Sequence, residues 1–138
     1  MNYLDEFINA LINIETINIK NSKIYNNVYD KYLNGHCEDL VDFLLHYCQD
    51  GKKIKIKGIC QEFDVDEIVY HYVFNLNDKY YDINGEFDNL DDLVNQIGYI
   101  DIIDEITLCD SNKLNYLDSN ELYNNIIDSL NNTFDMDR

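Results

Sequence analysis

The hydrophobic periodicity of the chain changes at Gly51, and this change limits the fold more than any other feature of the sequence. Before Gly51, apolar residues recur at intervals of three and four, as on one face of an α-helix. Directly after it, residues 52–57 alternate lysine with isoleucine, as in a β-strand. Helices followed by strands predict an α+β fold, with N-terminal helices packed on a small, mostly antiparallel sheet.

The apolar spacing and the turn residues place the individual elements. The predicted helices cover residues 2–14, residues 24–33 (capped by Ser22 and closed by Gly35), Cys37 to about Cys48, residues 90–97 (stopped by Gly98), and a last helix whose apolar face runs from Leu122 to Leu130, capped by Asp118 or Ser119. The predicted strands cover residues 52–57, 67–76, 79–83 and 99–108. Lysines in the first of these strands are typical of an exposed sheet edge.

The composition predicts a soluble protein of one domain, residues 1–138. Apolar residues make up 46% of the 138, enough for a core, and no run approaches the ~18 apolar residues of a membrane span. The acidic start lacks a signal-peptide pattern, so the cytoplasm is the expected location, or the host cytoplasm if the chain is of phage origin. Its 4 cysteines have no paired spacing and are expected to be thiols there.

Negative charge is concentrated in the second half of the chain. Residues 1–60 hold 8 acids and 7 bases, whereas residues 61–138 hold 19 acids and 3 bases, within a total of −17. This half would repel a phosphate backbone, so direct nucleic-acid binding is not expected, whereas a basic protein partner would be attracted. High charge also serves solubility alone. The excess of Asn, Ile, Tyr, Asp and Lys resembles an AT-rich coding bias, common in mobile elements and their hosts.

Three residues with reactive side chains lie at positions that point to a possible catalytic function. Cys37 falls in the first turn of the third predicted helix, where free N–H groups and the helix dipole stabilise a thiolate, the nucleophilic form of cysteine. His71 lies in the middle of a predicted strand, and Asp82 lies on the next strand. Together these residue types make up a nucleophile, a base and a group that orients the base.

The predicted hairpin allows the geometry of this group to be tested by counting. A two-residue turn at Asn77 and Asp78 pairs residues whose numbers sum to 155, which places His71 opposite Asn84. Asp82 is two positions from Asn84 and therefore points to the same face as His71. We therefore expect a hydrogen bond between the Asp82 carboxylate and the His71 imidazole, with the second ring nitrogen directed at Cys37.

The order of these residues resembles the papain-like superfamily, and its transglutaminase-like branch in particular. The matching segments are Gly35-His36-Cys37, His71-Tyr72-Val73-Phe74 and Lys79-Tyr80-Tyr81-Asp82, within about residues 34–87. The resemblance implies that Cys37 is a nucleophile, His71 a general base and then acid, and Asp82 the orienting acid. Enzymes of this kind cut, deamidate or transfer at amide bonds through a thioester.

The sequence departs from the pattern of that superfamily at two places. Glu38 and Asp39 follow the cysteine where an aromatic residue is usual, and they are expected either to oppose thiolate formation or to bind N–H groups of the helix. No Gln lies upstream of Cys37 as an oxyanion donor, so Asn34 or the backbone N–H of Cys37 would take that role, with Asn84 in a supporting position.

The sequence predicts neither a metal site nor a cofactor. The spacing of the cysteines and histidines does not fit structural zinc, and Tyr80 occupies the first ligand position of the EF-hand-like run that ends at Gly85. Cys48, Cys60 and Cys109 are expected to pack without chemistry.

Two functions follow from these observations. The first is a small cysteine hydrolase or acyltransferase acting on an amide bond of a protein or peptide. The alternative is a non-catalytic acidic binding protein that imitates nucleic acid, such as a phage-type inhibitor of a basic nucleic-acid-handling defence complex. An immunity or antitoxin-like module is a third class that no specific residue favours.

Overall fold

The computed structural model describes residues 3–20, 24–33, 36–59, 68–97, 100, 102–109 and 120–136. Its helices are α1 (Tyr3–Ile19), α2 (Val28–Leu33), α3 (Cys37–Tyr47), α4 (Leu90–Ile97) and α5 (Glu121–Met136). Its strands are β1 (Lys52–Ile59), β2 (Ile68–Leu76), β3 (Lys79–Asp82), β4 (Gly85–Phe87) and β5 (Ile102–Cys109).

The strands form one five-stranded sheet in the order β4-β3-β2-β1-β5, with every neighbouring pair antiparallel. Three helices precede the first strand in the chain. The predicted α+β class, with N-terminal helices and an antiparallel sheet, is confirmed. No helix within the described ranges combines the length and the apolar character needed to cross a bilayer.

The two faces of the sheet carry separate apolar clusters, because side chains alternate between the faces along each strand. Phe74 and Tyr81 are cross-strand partners and belong to the larger cluster, which also contains the buried residues of α1, α3 and α5. The smaller cluster lies on the opposite face, where Ile56 and Val73 pack with Leu93 of α4.

The prediction that β1 forms an exposed edge of the sheet is wrong. β1 lies between β2 and β5 and pairs with both along most of its length. Its Ile56 is completely buried, and even Lys53 is only 8% exposed. The alternating lysines indicated a strand correctly, but its place in the sheet depends on pairing with β5, which lies more than forty residues further along the chain.

Several predicted boundaries also differ from the structure. α1 continues to Ile19, five residues beyond the predicted end at residue 14, and α2 begins only at Val28. Gly85 does not end the hairpin but starts β4, an edge strand that the sequence analysis missed. β5 begins at Ile102 instead of residue 99. The expected caps Ser22, Asp118 and Ser119 and the stop signals Gly35 and Gly98 lie outside the described residues.

A side-chain amide starts the last helix. The Oδ1 of Asn120 accepts a hydrogen bond from the backbone N–H of Tyr123 at 3.1 Å. An asparagine at this position satisfies one of the unpaired N–H groups of the first turn. The cap observed for α5 is therefore Asn120.

The predicted hairpin register is confirmed. Phe74 pairs with Tyr81, and Leu76 pairs with Lys79, so the partners sum to 155. Asn77 and Asp78 form the turn with φ values of 50° and 66°. Positive φ at both central residues is the requirement of the tight hairpin turn that matches strand twist, and Asn and Asp tolerate it better than most residues.

A buried carboxylate joins α1 to α2. Glu15 is 3% exposed and accepts hydrogen bonds from Lys31, from the Tyr32 hydroxyl at 2.9 Å and from the Asn18 amide at 3.0 Å. The Tyr32 ring in turn packs edge-on against the ring of His36, with centroids 6.3 Å apart. This network fixes α2 next to the start of α3.

Replacing Gly51 by Ala is expected to destabilise the fold. A Cβ at this position would lie 2.0 Å from the nearest ring carbon of Phe74, which is completely buried, so the core would have to shift to accept it. We expect a loss of about 1–3 kcal/mol in the free energy of unfolding, measured by urea denaturation, because overpacking a core costs that much.

The neighbouring residue Asp50 provides the control, since Asp50→Ala introduces the same side chain at an exposed position. It should change the stability by no more than about 0.5 kcal/mol. Equal stability of the Gly51→Ala variant and the unmodified chain would contradict the packing described here.

Candidate functional site at the start of α3

Cys37 is the first residue of α3 and is 8% exposed. The carbonyl of His36 accepts the hydrogen bond from Leu40 N–H, so the helix begins at this point. The His36 side chain does not cap the helix; its Nδ1 contacts Asp39 Oδ2 at 2.7 Å instead. A sulfur atom in the first turn lies at the positive end of the helix dipole, where a thiolate is stabilised.

The carboxylates around Cys37 contact basic side chains. The Nζ of Lys53 lies 2.6 Å from Glu38 and 2.9 Å from Asp42. Burial alone would lower the pKa of Lys53, but its hydrogen bonds to Glu38 and Asp42 outweigh burial and raise it. Glu38 thus forms an ion pair with Lys53, and Asp39 contacts His36, where the sequence analysis expected both to act on the thiol or the helix N–H groups.

His71 and Asp82 contact each other in the interior. The His71 Nε2 lies 3.4 Å from Asp82 Oδ2, and the two residues are 0% and 1% exposed. The other oxygen of Asp82, Oδ1, accepts the backbone N–H of Asn84 at 2.8 Å. The turn from β3 into β4 therefore holds the carboxylate in the orientation that meets the imidazole.

Opposing effects determine the protonation of His71. Burial would lower the pKa of the imidazole, but the hydrogen bond with Asp82 and the influence of the nearby Cys37 side chain outweigh it and raise the pKa to about 9. Nδ1 is buried and makes no hydrogen bond of normal geometry within the described part of the chain. The influence of Cys37 on the pKa indicates that the thiol lies close to this ring.

The end of β3 explains how α3 approaches His71. β3 pairs with β2 only at Phe74, Asn75 and Leu76, so among the described strands the earlier part of β2 pairs with β1 alone. α3 packs mainly against β2, with fewer contacts to β1 and β3. α3 thus lies against the strand that carries His71.

The structure brings together His71 and Asp82, and Cys37 lies near the imidazole. Asn84 contributes its backbone N–H to Asp82, which is a supporting contact. Asn34, the expected oxyanion donor, lies outside the described residues, as does Cys60. Cys48 packs against the larger cluster as expected, and Cys109 is half-buried on β5.

The sequence analysis missed the role of Lys53. Glu38 and Asp42 are four residues apart on one helix, so they lie on the same face and would repel each other without a cation. That spacing was the available signal. The identity of the cation depends on the packing of α3 against β1, which sequence spacing does not provide.

Within the described residues, no group of three or more His, Cys, Asp or Glu side chains is arranged to hold a metal ion. The features described so far define an α+β protein with a buried imidazole–carboxylate pair next to a cysteine at a helix N-terminus.

The chain belongs to the phage YunG-like protein family, whose sequence model matches residues 11–132. The matched range contains Cys37, His71 and Asp82. Searches of curated proteins and of solved structures give no significant match. The comparison therefore associates the chain with phages and assigns no chemistry to the site.

The raised pKa of His71 predicts a pH-dependent stability. Because the pKa is about 9 in the folded chain against an ordinary 6.5, the folded state holds this proton more tightly than the unfolded state. The resulting stabilisation is complete below about pH 6.5 and is lost as the pH rises through about 9. We expect urea denaturation to show a decrease of up to about 3 kcal/mol across this range.

Asp82→Asn should flatten this pH profile, because the neutral amide no longer stabilises the imidazolium. His46→Gln is the matched control, since it removes a histidine away from Asp82, and it should leave the decrease intact. A profile that is flat from pH 6 to 9.5 in the unmodified chain would contradict the contact between His71 and Asp82.

Proposed function

We propose that this protein is a small cysteine-dependent hydrolase or acyltransferase that acts on an amide bond of a protein or peptide. The observation that carries the proposal is the buried contact between Asp82 and His71 Nε2, which leaves Nδ1 of the same ring for the thiol of Cys37. A carboxylate that fixes one nitrogen of an imidazole orients the other, which is the arrangement that activates a nucleophile.

The reaction would proceed through a thioester. Because the pKa of His71 is about 9, the imidazole holds a proton at neutral pH. Cys37 would therefore act as a thiolate paired with this imidazolium, and its sulfur attacks the amide carbonyl carbon. The tetrahedral intermediate then collapses as His71 gives that proton to the leaving nitrogen, which departs as an amine. Water, or a second amine in a transfer reaction, attacks the thioester while His71 accepts its proton, and Cys37 leaves as the thiolate beside the imidazolium.

Two further features support this assignment. Lys53 contacts both Glu38 and Asp42 on the helix that carries the thiol, and its single positive charge offsets part of their negative charge beside the thiolate. The order of Cys37, His71 and Asp82 resembles that of the papain-like and transglutaminase-like enzymes. Membership of a phage family favours action in the host cytoplasm.

Selective alkylation of Cys37 tests the catalytic proposal. With less iodoacetamide than protein, we expect Cys37 to be labelled at least tenfold faster than Cys48 or Cys109, as measured by peptide mass spectrometry, since thiolates and not thiols react. His71→Gln should remove this advantage, because the base that receives the thiol proton is lost.

The half-buried Cys48 and Cys109 serve as internal controls in the same experiment. Their labelling rates should be unchanged in the His71→Gln variant if its fold is intact. Labelling of Cys37 at the rate of these two cysteines in the unmodified chain would overturn the catalytic proposal.

The distribution of charge favours a second candidate, a non-catalytic acidic protein that binds a basic partner. The described surface from β3 to α5 exposes many carboxylates and few cations; the exposed acids there are Asp78, Glu86, Asp88, Asp91, Asp92, Asp104, Glu105, Glu121 and Asp128. Such a surface would compete with nucleic acid for a basic cleft.

Salt dependence separates this candidate from catalysis. Affinity for a basic nucleic-acid-binding protein should fall steeply between low and physiological salt, because screening weakens exposed charge pairs. The same affinity should be retained in Cys37→Ala. Binding that is insensitive to salt, or that is lost with the thiol, would exclude charge-driven binding as the main role.

A further inference from the structure

An open pocket of about 760 Å³ lies at the end of α3 opposite to Cys37. We call it the tyrosine pocket, after the three tyrosines in its lining. The residues that line it include Tyr3, Tyr47, Cys48, Leu76, Tyr81 and Glu86. Ten residues of helix separate Tyr47 from Cys37, which corresponds to roughly 15 Å. The pocket is thus separate from the candidate catalytic group.

The aromatic lining of the tyrosine pocket is held in place by the core. The Tyr47 ring packs against Phe7 at a centroid distance of 5.0 Å, and the Tyr81 ring packs against Phe74 at 5.9 Å. Tyr3 lies at the rim and is 61% exposed. Because Tyr81 is 4% exposed and Tyr47 is half-buried, a ligand would meet mainly the rings of Tyr3 and Tyr47. The core contact of Tyr47 limits the side-chain entropy that this ring would lose on binding.

One carboxylate lines the pocket, and a second lies near Tyr47. Glu86 lies in its lining and is exposed. Burial raises the pKa of the Tyr47 hydroxyl, and the nearby charge of Glu6 raises it further. One oxygen of Glu6, Oε2, is buried and makes no hydrogen bond within the described part of the chain.

A neighbouring carboxylate, that of Asp5, experiences the same excess of negative charge. Burial raises its pKa, and repulsion from Glu86 adds to this effect. Asp5, Glu6 and Glu86 therefore place negative charge near the start of α1, close to the tyrosine pocket, and this charge attracts a cation.

We propose that the tyrosine pocket binds a cationic side chain, an arginine or lysine, presented by a basic protein. Tyrosine faces attract guanidinium and ammonium groups, and carboxylates at the rim complement their charge. An apolar lining that includes Leu76 accommodates the aliphatic stem of such a side chain. The proposal needs no catalysis at Cys37, and it would give the acidic surface one specific contact point.

Titration with a small cationic probe tests this proposal on the full chain. N-acetyl-arginine amide should produce saturable shifts in the NMR signals of Tyr3 and Tyr47 in tyrosine-labelled protein. N-acetyl-citrulline amide has nearly the same shape without the charge and should bind at least fivefold more weakly. Tyr3→Leu should weaken arginine binding about two- to fivefold, the range expected for an exposed cation–π contact. Glu86→Gln should weaken it by a similar factor, because an exposed ion pair contributes about as much.

The control variant is Tyr70→Leu, which removes a tyrosine of similar exposure on β2 and should leave arginine binding unchanged. Cys37→Ala should also bind normally, so a failure of the catalytic proposal does not affect this test. Equal binding of citrulline would show an apolar pocket only. Arginine shifts spread over the acidic surface and unaffected by Tyr3→Leu would show unspecific charge attraction, and either result would overturn the proposal.

Discussion

The contact between His71 and Asp82 is the interaction on which the arrangement of the candidate site depends. An imidazole that is completely buried is costly to charge unless a partner compensates for lost hydration. Asp82 provides that compensation only because the Asn77–Asp78 turn sets the register and because β3 ends at Asp82. A shift of one residue would turn the carboxylate to the other face of the sheet and leave the imidazole without it.

Charge compensation extends from this contact to the start of α3. A helix N-terminus favours a thiolate, whereas carboxylates on the same first turns oppose it. Lys53, only 8% exposed, bridges Glu38 and Asp42 and so removes much of that opposition. Although the chain has a net charge of −17, the position of this one lysine affects a thiolate at Cys37 more than the net charge does.

Local features of the sequence were sufficient to predict the hairpin and the proximity of His71 to Asp82. A two-residue turn and the alternation of side chains along a strand determine cross-strand partners over short distances.

The position of β1 was not predictable in the same way. The lysines at 53, 55 and 57 are typical of an edge, but β5 pairs beyond them, and this pairing joins segments far apart in sequence. Lys53 was missed for the same reason: its partners lie on a helix whose packing no local pattern determines. The oxyanion donor proposed at Asn34 stays a prediction.

The two ends of α3 belong to two separate candidate sites, the catalytic group at Cys37 and the tyrosine pocket. The middle of the helix, from Leu40 to Leu45, is buried throughout, so core packing lies between the tyrosine pocket and Cys37. A ligand in the pocket therefore touches neither the thiol nor the imidazole, and any effect on them would require α3 to move within that packing. Because such cores resist small displacements, we expect occupation of the pocket to leave the chemistry of Cys37 unchanged. A cationic ligand there would therefore determine which protein is bound, and not the rate at which a bond is broken.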